Sequence, residues 1–317
     1  MSASTDNHLI SALTYPREEI ERHLVSYSVR RMPLTSPEWQ SLASREAKIR
    51  KIRLRYWYNQ AFHWGISRQT HKRTVEETYD NIWAGMDFAN FTDPNKQLMF
   101  HEWGPEGLIM NSSATHRLHQ ALMIKALRIL RPATVLEVGS GNGINLVVMA
   151  SQCPGIRFEG IELTKNGVEI SKALVAGHKL PQSLLSFMAE PPLKPDGFRD
   201  VTVNQGSAER LPYADCSFDL VMTRLALEQM ESIRDQALAE ISRVARSYVL
   251  MVESFSEMND QGLRKQYAVG NRYFRGAIAD LPRYGLEPVF TFSAWPHKIT
   301  MWPIFVLAKK SQATSKI

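Results

Sequence analysis

Short apolar runs alternate with amphipathic stretches from about Val135 onward, and this alternation predicts the fold. The runs are rich in branched and aromatic residues and end at turn residues, which is typical of strands. We expect strands at 133–138, 156–162, 201–205, 217–223, 247–253, 287–293 and 299–309, and helices at 116–130, 142–152, 164–179, 231–245 and 260–279. Strands that alternate with helices form a mostly parallel sheet covered by helices, so we predict an α/β fold.

The first 115 residues follow a different pattern. Ser36, Pro37 and Glu38 form a helix start, because they supply a hydroxyl cap, a proline at the first helical position and an acid in the first turn. Apolar residues then recur at roughly helical spacing, at Leu42, Ile49, Ile52 and Tyr56. We therefore predict a mostly helical region at 1–115, an α/β domain at 116–317 and an inserted loop at the proline-rich segment 181–200.

The composition is that of an ordinary globular protein. Hydrophobic residues make up 44% of the 317 residues and charged residues 22%, which excludes fibrous and disordered classes. No apolar run approaches the ~18 residues of a membrane-spanning helix, and the start MSASTDNHLI lacks the features of a secretory signal. Two cysteines, Cys153 and Cys216, cannot make a disulfide framework or a cysteine zinc site. We expect a cytoplasmic protein.

The net charge of +6 is concentrated in one segment. Residues 45–73 hold nine basic residues and one acid, a local charge of +8, which leaves −2 for the remainder of the chain. A local excess of this kind can contact nucleic acid or an anionic membrane, and it can equally be a solvated helix face.

The stretch VLEVGSGNG at 135–143 is the most informative part of the sequence. A buried strand runs into a turn that opens a helix, with glycine at every second position from 139 to 143. Glycine permits positive φ and close approach of the backbone to a ligand, and a helix start offers free N–H groups. A dinucleotide fingerprint needs glycine where Ile144 stands, and the acid Glu137 suits a cationic ligand better than a pyrophosphate. The spacing therefore disfavours a nicotinamide-dependent oxidoreductase.

Four stretches resemble the class I S-adenosylmethionine-dependent methyltransferases, specifically the broad group that contains the ubiquinone-biosynthesis type. They are VLEVGSGNG, the acid-ended IEL, GSAERLPYADCSFDLV and the Leu-Glu pair of LALEQM, and together they span about 116–253. The resemblance implies a Rossmann-like sheet of seven strands with the last one antiparallel, S-adenosyl-L-methionine as cofactor, and methyl transfer as the activity. It says little about the methyl acceptor.

The resemblance also implies which residues hold the methionine part of the cofactor. The backbone around Gly139, Ser140 and Gly141 would lie beneath it. Gly143 belongs to the same turn, and Glu137 would help to hold the ammonium group.

The nucleoside part is assigned in the same way. Glu162 would accept hydrogen bonds from both ribose hydroxyls, because two vicinal hydroxyls suit a two-oxygen carboxylate. Leu163 would flank the adenine, and Ser207 and Ala208 would bind its edge, with Ser207 replacing an Asp that is frequent in relatives. Thr223, at the end of the fourth strand, would lie close to the sulfonium and the acceptor.

Methyl transfer from a sulfonium depends largely on positioning. Thr223 and Arg224 stand where carboxylate ligands to magnesium would be expected, so we predict no metal. The candidate catalytic residues are His101, in the HEWGPEG turn, and Glu228. Relatives often carry histidine after the Leu-Glu pair, where this chain has Gln229.

Three acceptor classes remain open. The aromatic residues of 1–115 favour a helical lid over a small organic molecule, which we take as the first prediction. The basic segment 45–73 could instead serve an RNA or protein acceptor, or deliver a lipid acceptor from an anionic membrane. Glu228 and Glu231 loosely resemble paired glutamates that hold an arginine substrate, although acids near a helix start are usually dipole partners. A protein that binds the cofactor without catalysis is the alternative of a different class.

Overall fold

In the computed structural model, which describes residues 11–46, 49–61 and 68–311, the N-terminal part mixes helices with strands. Its helices are α1 (Arg17–Leu24), α2 (Pro37–Glu46), α3 (Ile49–Ala61), α4 (Arg68–Ala84) and α5 (Phe88–Thr92), and its strands are β1 (Ser28–Pro33), β2 (Leu98–Trp103) and β3 (Glu106–Asn111). The helix start at Ser36 is confirmed, because its Oγ accepts a hydrogen bond of 3.2 Å from the Trp39 amide.

The remainder of the chain alternates helices and strands. Its strands are β4 (Thr134–Val138), β5 (Arg157–Glu162), β6 (Thr202–Gln205), β7 (Phe218–Arg224), β8 (Ala245–Glu253), β9 (Leu286–Phe292), β10 (His297–Lys298) and β11 (Ile304–Lys310). Its helices are α6 (Ser113–Leu130), α7 (Ile144–Gln152), α8 (Lys165–Ala176), α9 (Gln182–Phe187), α10 (Arg234–Val244), α11 (Ser256–Asn259) and α12 (Gly262–Asn271). The predicted loop at 181–200 thus contains the short helix α9 and a 3-10 turn at Gly197–Asp200.

Seven strands form one sheet in the order β6-β5-β4-β7-β8-β11-β9. The pairs from β6 to β8 are parallel, and β11 runs antiparallel to both β8 and β9. This confirms the predicted α/β Rossmann-like sheet with its last strand antiparallel. The carboxyl ends of β5, β4 and β7 therefore meet at one edge, where the order of the strands reverses and a crevice opens.

A second sheet, of four antiparallel strands in the order β1-β3-β2-β10, was not expected from the sequence. The described part of 1–115 is mostly helical, as predicted, and it also holds three of these strands. The predicted strand 299–309 is corrected, because β11 begins only at Ile304. His297 and Lys298 leave the central sheet and pair with Glu102 and His101 of β2. The sequence pattern missed this sheet because its strands are short and β10 lies almost two hundred residues from its partner β2.

The N-terminal helix α1 packs into the same hydrophobic cluster as the central sheet. Leu13, Ile20 and Leu24 are completely or almost completely buried there, together with Leu118 and Leu122 of α6. The boundary between residues 115 and 116 stays a prediction, since both sides of it share this cluster.

The basic segment 45–73 corresponds mainly to α3 and the beginning of α4. Residues 47–48 and 62–67, which include the aromatic residues Phe62 and Trp64 of the predicted lid, lie outside the described residues. Helix α3 exposes three large apolar side chains, at Leu54, Trp57 and Tyr58. Within the described ranges, no helix is long and apolar enough to cross a membrane.

Candidate active site

The glycine-rich turn after β4 is held in a conformation that only glycine adopts easily. Gly139, Gly141 and Gly143 all have positive φ, at 75°, 56° and 76°. A Cβ atom on Gly139 would lie 2.5 Å from the Ala226 side chain, and one on Gly141 would lie 2.8 Å from the Trp83 ring. The turn therefore needs glycine both for its backbone and for the space above it.

A cavity of about 260 Å³ opens between this turn and the carboxyl ends of β5 and β7. Its wall includes eight of the residues predicted for the site: Gly139, Ser140, Gly141, Glu162, Leu163, Ser207, Ala208 and Glu228. The other four predicted residues, Glu137, Gly143, Thr223 and His101, do not line it.

Glu162, at the end of β5, connects the glycine turn to the next loop. One carboxylate oxygen accepts the Gly141 N–H at 2.9 Å, and the other accepts the Thr164 N–H at 3.0 Å and the Thr164 hydroxyl at 2.7 Å. A carboxylate offers about four acceptor positions. One position is therefore left for a hydroxyl in the cavity.

The loop after β6 forms the neighbouring wall. Its Gly206 amide donates to the Glu162 carbonyl at 2.9 Å, and the Gln205 side chain donates to the Leu163 carbonyl at 3.0 Å. These bonds fix Ser207 and Ala208 beside the end of β5, where both line the cavity.

Residues 136–252 match the family model of the methyltransferase domain. Over 125 residues the chain is 29% identical to the uncharacterized methyltransferase YcgJ of Bacillus subtilis (strain 168), a match that covers 39% of this chain and 41% of that protein. Residues 136–252 therefore form a methyltransferase domain of the class I S-adenosylmethionine-dependent type.

Solved structures with this fold share little sequence with the methyltransferase chain. The [4+2]-cyclase SpnF is 17% identical and covers 75% of this chain and 95% of its own, with a TM-score of 0.52. The magnesium protoporphyrin IX methyltransferase ChlM from Synechocystis PCC 6803 was solved with bound S-adenosylmethionine. It is 12% identical, and the match covers 78% of this chain and 99% of ChlM, with a TM-score of 0.49. At such identities the likeness concerns the fold.

The cofactor of this family is S-adenosyl-L-methionine, and the residues of the site fit it. Glu137 lies behind the glycine turn, where its Oε1 accepts the Asn145 amide at 2.7 Å. Its Oε2 is buried and has no hydrogen-bond partner among the described residues. Burial raises the pKa of Glu137 to about 8, and a cation close by would favour the ionised form. The unpartnered oxygen suits a positively charged group, although Asn145 rather than Glu137 lines the cavity.

At the end of β7 the structure corrects the position predicted for Thr223. This side chain is completely buried and faces away from the cavity wall, whereas the next residue, Arg224, lines the cavity. Successive side chains of a strand point to opposite faces of the sheet. An assignment that is wrong by one residue therefore places the side chain on the wrong face. Burial lowers the pKa of Arg224 to about 10, which leaves it charged at neutral pH.

His101 lies in β2 of the second sheet and does not reach the cavity wall. It is completely buried, and its Nδ1 lies 3.2 Å from the Met99 carbonyl oxygen, while Nε2 has no partner among the described residues. Desolvation lowers the pKa of His101 to about 3, so it is neutral. The turn that suggested a cofactor contact, HEWGPEG, is instead the connection between β2 and β3.

Glu228 lines the cavity, as the sequence suggested. Its Oε1 accepts two hydrogen bonds, one from the Tyr79 hydroxyl at 3.4 Å and one from the Gln229 side-chain amide at 3.3 Å. Its Oε2 is buried and has no partner among the described residues. Burial raises the pKa of Glu228. Glu231 does not form a substrate clamp with it, because Glu231 makes ion pairs with Arg234 at 3.4 Å and Arg275 at 3.2 Å.

Helix α4 covers the cavity, and the sequence did not identify which of its residues do so. Tyr79 and Trp83 both line the cavity. The helix is tied to the start of α8, because Asp80 accepts the Asn166 amide N–H at 2.7 Å and its side-chain N–H at 2.9 Å. Helical spacing of aromatic residues was the only local signal for this role.

Proposed function

We propose that the protein transfers a methyl group from S-adenosyl-L-methionine to an O, N or C atom of a small organic acceptor. The size of the cavity, about 260 Å³, supports a small acceptor most directly, and Tyr79 and Trp83 of α4 line it together with the glycine turn. The predicted ubiquinone-biosynthesis subgroup and the acceptor's identity stay predictions.

The residues divide between holding the cofactor and receiving the acceptor. Glu162 would take one ribose hydroxyl at its remaining acceptor position, Ser207 and Ala208 the adenine edge, and the turn at Gly139 and Gly141 the methionine part. The cofactor supplies an electrophilic methyl group, which bonds to the acceptor atom as the bond to sulfur breaks. Because displacement of this kind is governed by alignment, rigid walls that exclude water provide much of the catalysis.

Glu228 is the residue that we propose to accept a proton from the acceptor. Its Oε2 is buried beside the cavity without a described partner, and burial raises the pKa of its carboxylate above that of an exposed glutamate. A carboxylate with a raised pKa is a stronger base, and a positioned base contributes ~100-fold or more to a rate.

The substitution Glu228→Gln tests this role. It should lower kcat about 100-fold while the affinity for S-adenosylhomocysteine stays within a factor of two, because the carboxylate serves the acceptor. Glu231→Gln is the matched control, since Glu231 is already paired with two arginines. Equal kcat values for wild type and Glu228→Gln would remove Glu228 from the reaction.

A panel of small acceptors, assayed by release of S-adenosylhomocysteine, tests the proposed activity itself. Tight cofactor binding without transfer to any acceptor would favour the alternative of a non-catalytic cofactor-binding protein. Transfer to RNA, protein or lipid with strong salt dependence would instead favour the basic segment 45–73 as the acceptor surface.

Both cysteines, Cys153 and Cys216, are free, which is consistent with the predicted cytoplasmic location.

A further inference from the structure

Arg224 is a half-buried cation in the cavity wall, and it forms no ion pair with a described acid. Its Nε is inaccessible and has no hydrogen-bond partner among the described residues. Arg224 interacts electrostatically with Glu137, Glu253 and Glu228, but it forms neither a hydrogen bond nor an ion pair with any of them. A guanidinium in a protein interior is usually paired, because burial of an isolated charge is costly.

A second cation reaches the same region from the other sheet. Lys298 stands in β10, opposite His101 of β2, and its side chain is partly buried. It interacts electrostatically with Glu228 and Arg224, both of which line the cavity, and with His119 of α6. The four-stranded sheet thus brings a lysine close to the arginine at the end of β7, although Lys298 itself does not line the cavity.

The nearby acids do not neutralise these cations. Burial raises the pKa of both Glu137 and Glu253 to about 8, so both are largely protonated at neutral pH. Glu228 remains as one acid between two cations, and its pKa is also raised by burial. Because neither Arg224 nor Lys298 forms an ion pair with a described acid, a bound anion would be their direct counter-ion.

From this arrangement we propose that Arg224 forms an oxyanion subsite that holds a carboxylate or phosphate of the methyl acceptor, and that the charge of Lys298 behind it strengthens the binding. The subsite rests on the proposed function, because it assigns the acceptor's charged group. The planar fork of an arginine bonds both oxygens of such a group, and a lysine adds a point charge beside it.

The wall beside these cations indicates the rest of the acceptor. The Tyr79 and Trp83 rings line the cavity, and the Trp83 indole N–H is buried without a described partner. Both ring nitrogens of His119 are also buried and unpartnered among the described residues, and its ring packs at 4.4 Å from the Trp295 ring. Aromatic walls with a few unpaired polar atoms suit a small aromatic acid.

Binding of small probes to the full chain, saturated with S-adenosylhomocysteine, tests the subsite. Benzoate and inorganic phosphate are the anionic probes and benzamide is the neutral one, with dissociation constants measured by calorimetry. Wild type should bind benzoate at least tenfold more tightly than benzamide. Arg224→Gln and Lys298→Gln should each weaken benzoate about tenfold or more, and Arg157→Gln, an exposed arginine at the opposite end of β5, should change nothing.

The melting temperature of the ligand-free protein separates a binding arginine from a structural one. Arg224→Gln should raise it, because an uncompensated buried charge is removed. A lower melting temperature, or failure of this variant to fold, would make Arg224 a structural cation and overturn the proposal. Failure of wild type to prefer benzoate or phosphate over benzamide would overturn it as well.

Arg224 could instead bind the carboxylate in the amino-acid part of the cofactor, and a comparison of two cofactor analogues distinguishes these alternatives. If Arg224→Gln weakens S-adenosylhomocysteine but not 5′-methylthioadenosine, which lacks the amino-acid part, Arg224 holds the cofactor and the acceptor subsite is wrong. If the anionic probes bind as expected but no acceptor is methylated, the subsite stands and the proposed methyl transfer fails.

Discussion

At the scale of single residues, Glu162 both faces the cofactor cavity and holds the glycine turn, whereas the sequence indicated only a role in binding the ribose. Its carboxylate accepts three hydrogen bonds from Gly141 and Thr164, so it shapes the turn as well as facing the cavity. A substitution there should therefore affect both the cofactor and the protein's own stability.

Glu162→Ala should weaken binding of S-adenosyl-L-methionine by about 1–3 kcal/mol, since hydrogen bonds to a charged group are lost. Calorimetric titration measures the affinity, and a melting curve without ligand should show a lower midpoint from the loss of the bonds to Gly141 and Thr164. Glu169→Ala, on the exposed side of α8, is the control. An unchanged affinity would exclude Glu162 from the ribose site.

The buried acids predict how stability depends on pH. Burial raises the pKa of Glu253 from an ordinary 4.5 to about 8, and its Oε1 accepts the Ala226 amide at 3.0 Å. Between these two pH values the folded protein binds a proton that the unfolded chain releases, so stability falls as the pH rises through this window.

Glu253→Gln should reduce that fall by up to about 1 kcal/mol per pH unit between pH 5 and pH 8. The free energy of unfolding in urea, measured at several pH values, gives the slope, and glutamine keeps an acceptor for the Ala226 amide. The exposed Glu169→Gln should retain the wild-type slope. A wild-type protein that becomes more stable from pH 5 to pH 8 would contradict the buried, protonated state.

At the scale of elements, local patterns predicted the central sheet well. All seven of its strands fall within a few residues of the predicted ranges, because apolar runs bounded by turn residues are local signals. The second sheet was missed, since its strands are short, and β1 and β10 pair across long stretches of chain, whereas only β2 and β3 are neighbours in the sequence. The 299–309 prediction was wrong at its beginning, because β11 starts only at Ile304.

Asp80 is one of the side chains that hold helix α4 over the cavity. Asp80→Ala removes the hydrogen bonds to Asn166, so α4 should open more often and the cofactor should bind less tightly, by about 1–2 kcal/mol. Amide hydrogen exchange of α4 should become faster in this variant. Glu77→Ala, which removes only an exposed ion pair with Arg73 on the same helix, should leave exchange and affinity unaltered. Equal exchange rates in Asp80→Ala and wild type would mean that other contacts hold α4.

At the scale of the whole molecule, the N-terminal helix is part of the main core. Leu24 is completely buried in the cluster that also contains α6 and the central sheet, whereas the adjacent Val25 is 75% exposed. The segment 1–115 is therefore joined to the methyltransferase domain by packing, in addition to the cavity that both line.

Leu24→Ala should lower the free energy of unfolding by about 2–5 kcal/mol, because it leaves a cavity in this shared core. Urea unfolding followed by both circular dichroism and tryptophan fluorescence should show one common transition. Val25→Ala should cost less than about 0.5 kcal/mol, since its side chain is exposed. Two separate transitions would mean that the N-terminal region unfolds independently.

The sequence by itself determined the α/β sheet, the glycine turn and the acid at the end of β5, because a few neighbouring residues are enough to predict each of them. The tertiary structure decided what faces the acceptor. Tyr79, Arg224 and Glu228 come from three separate segments, and only folding brings them to one cavity, with Lys298 close behind Arg224 and Glu228. It also decided that Thr223 and His101 point elsewhere, since the side on which a residue lies depends on the pairing of its strand.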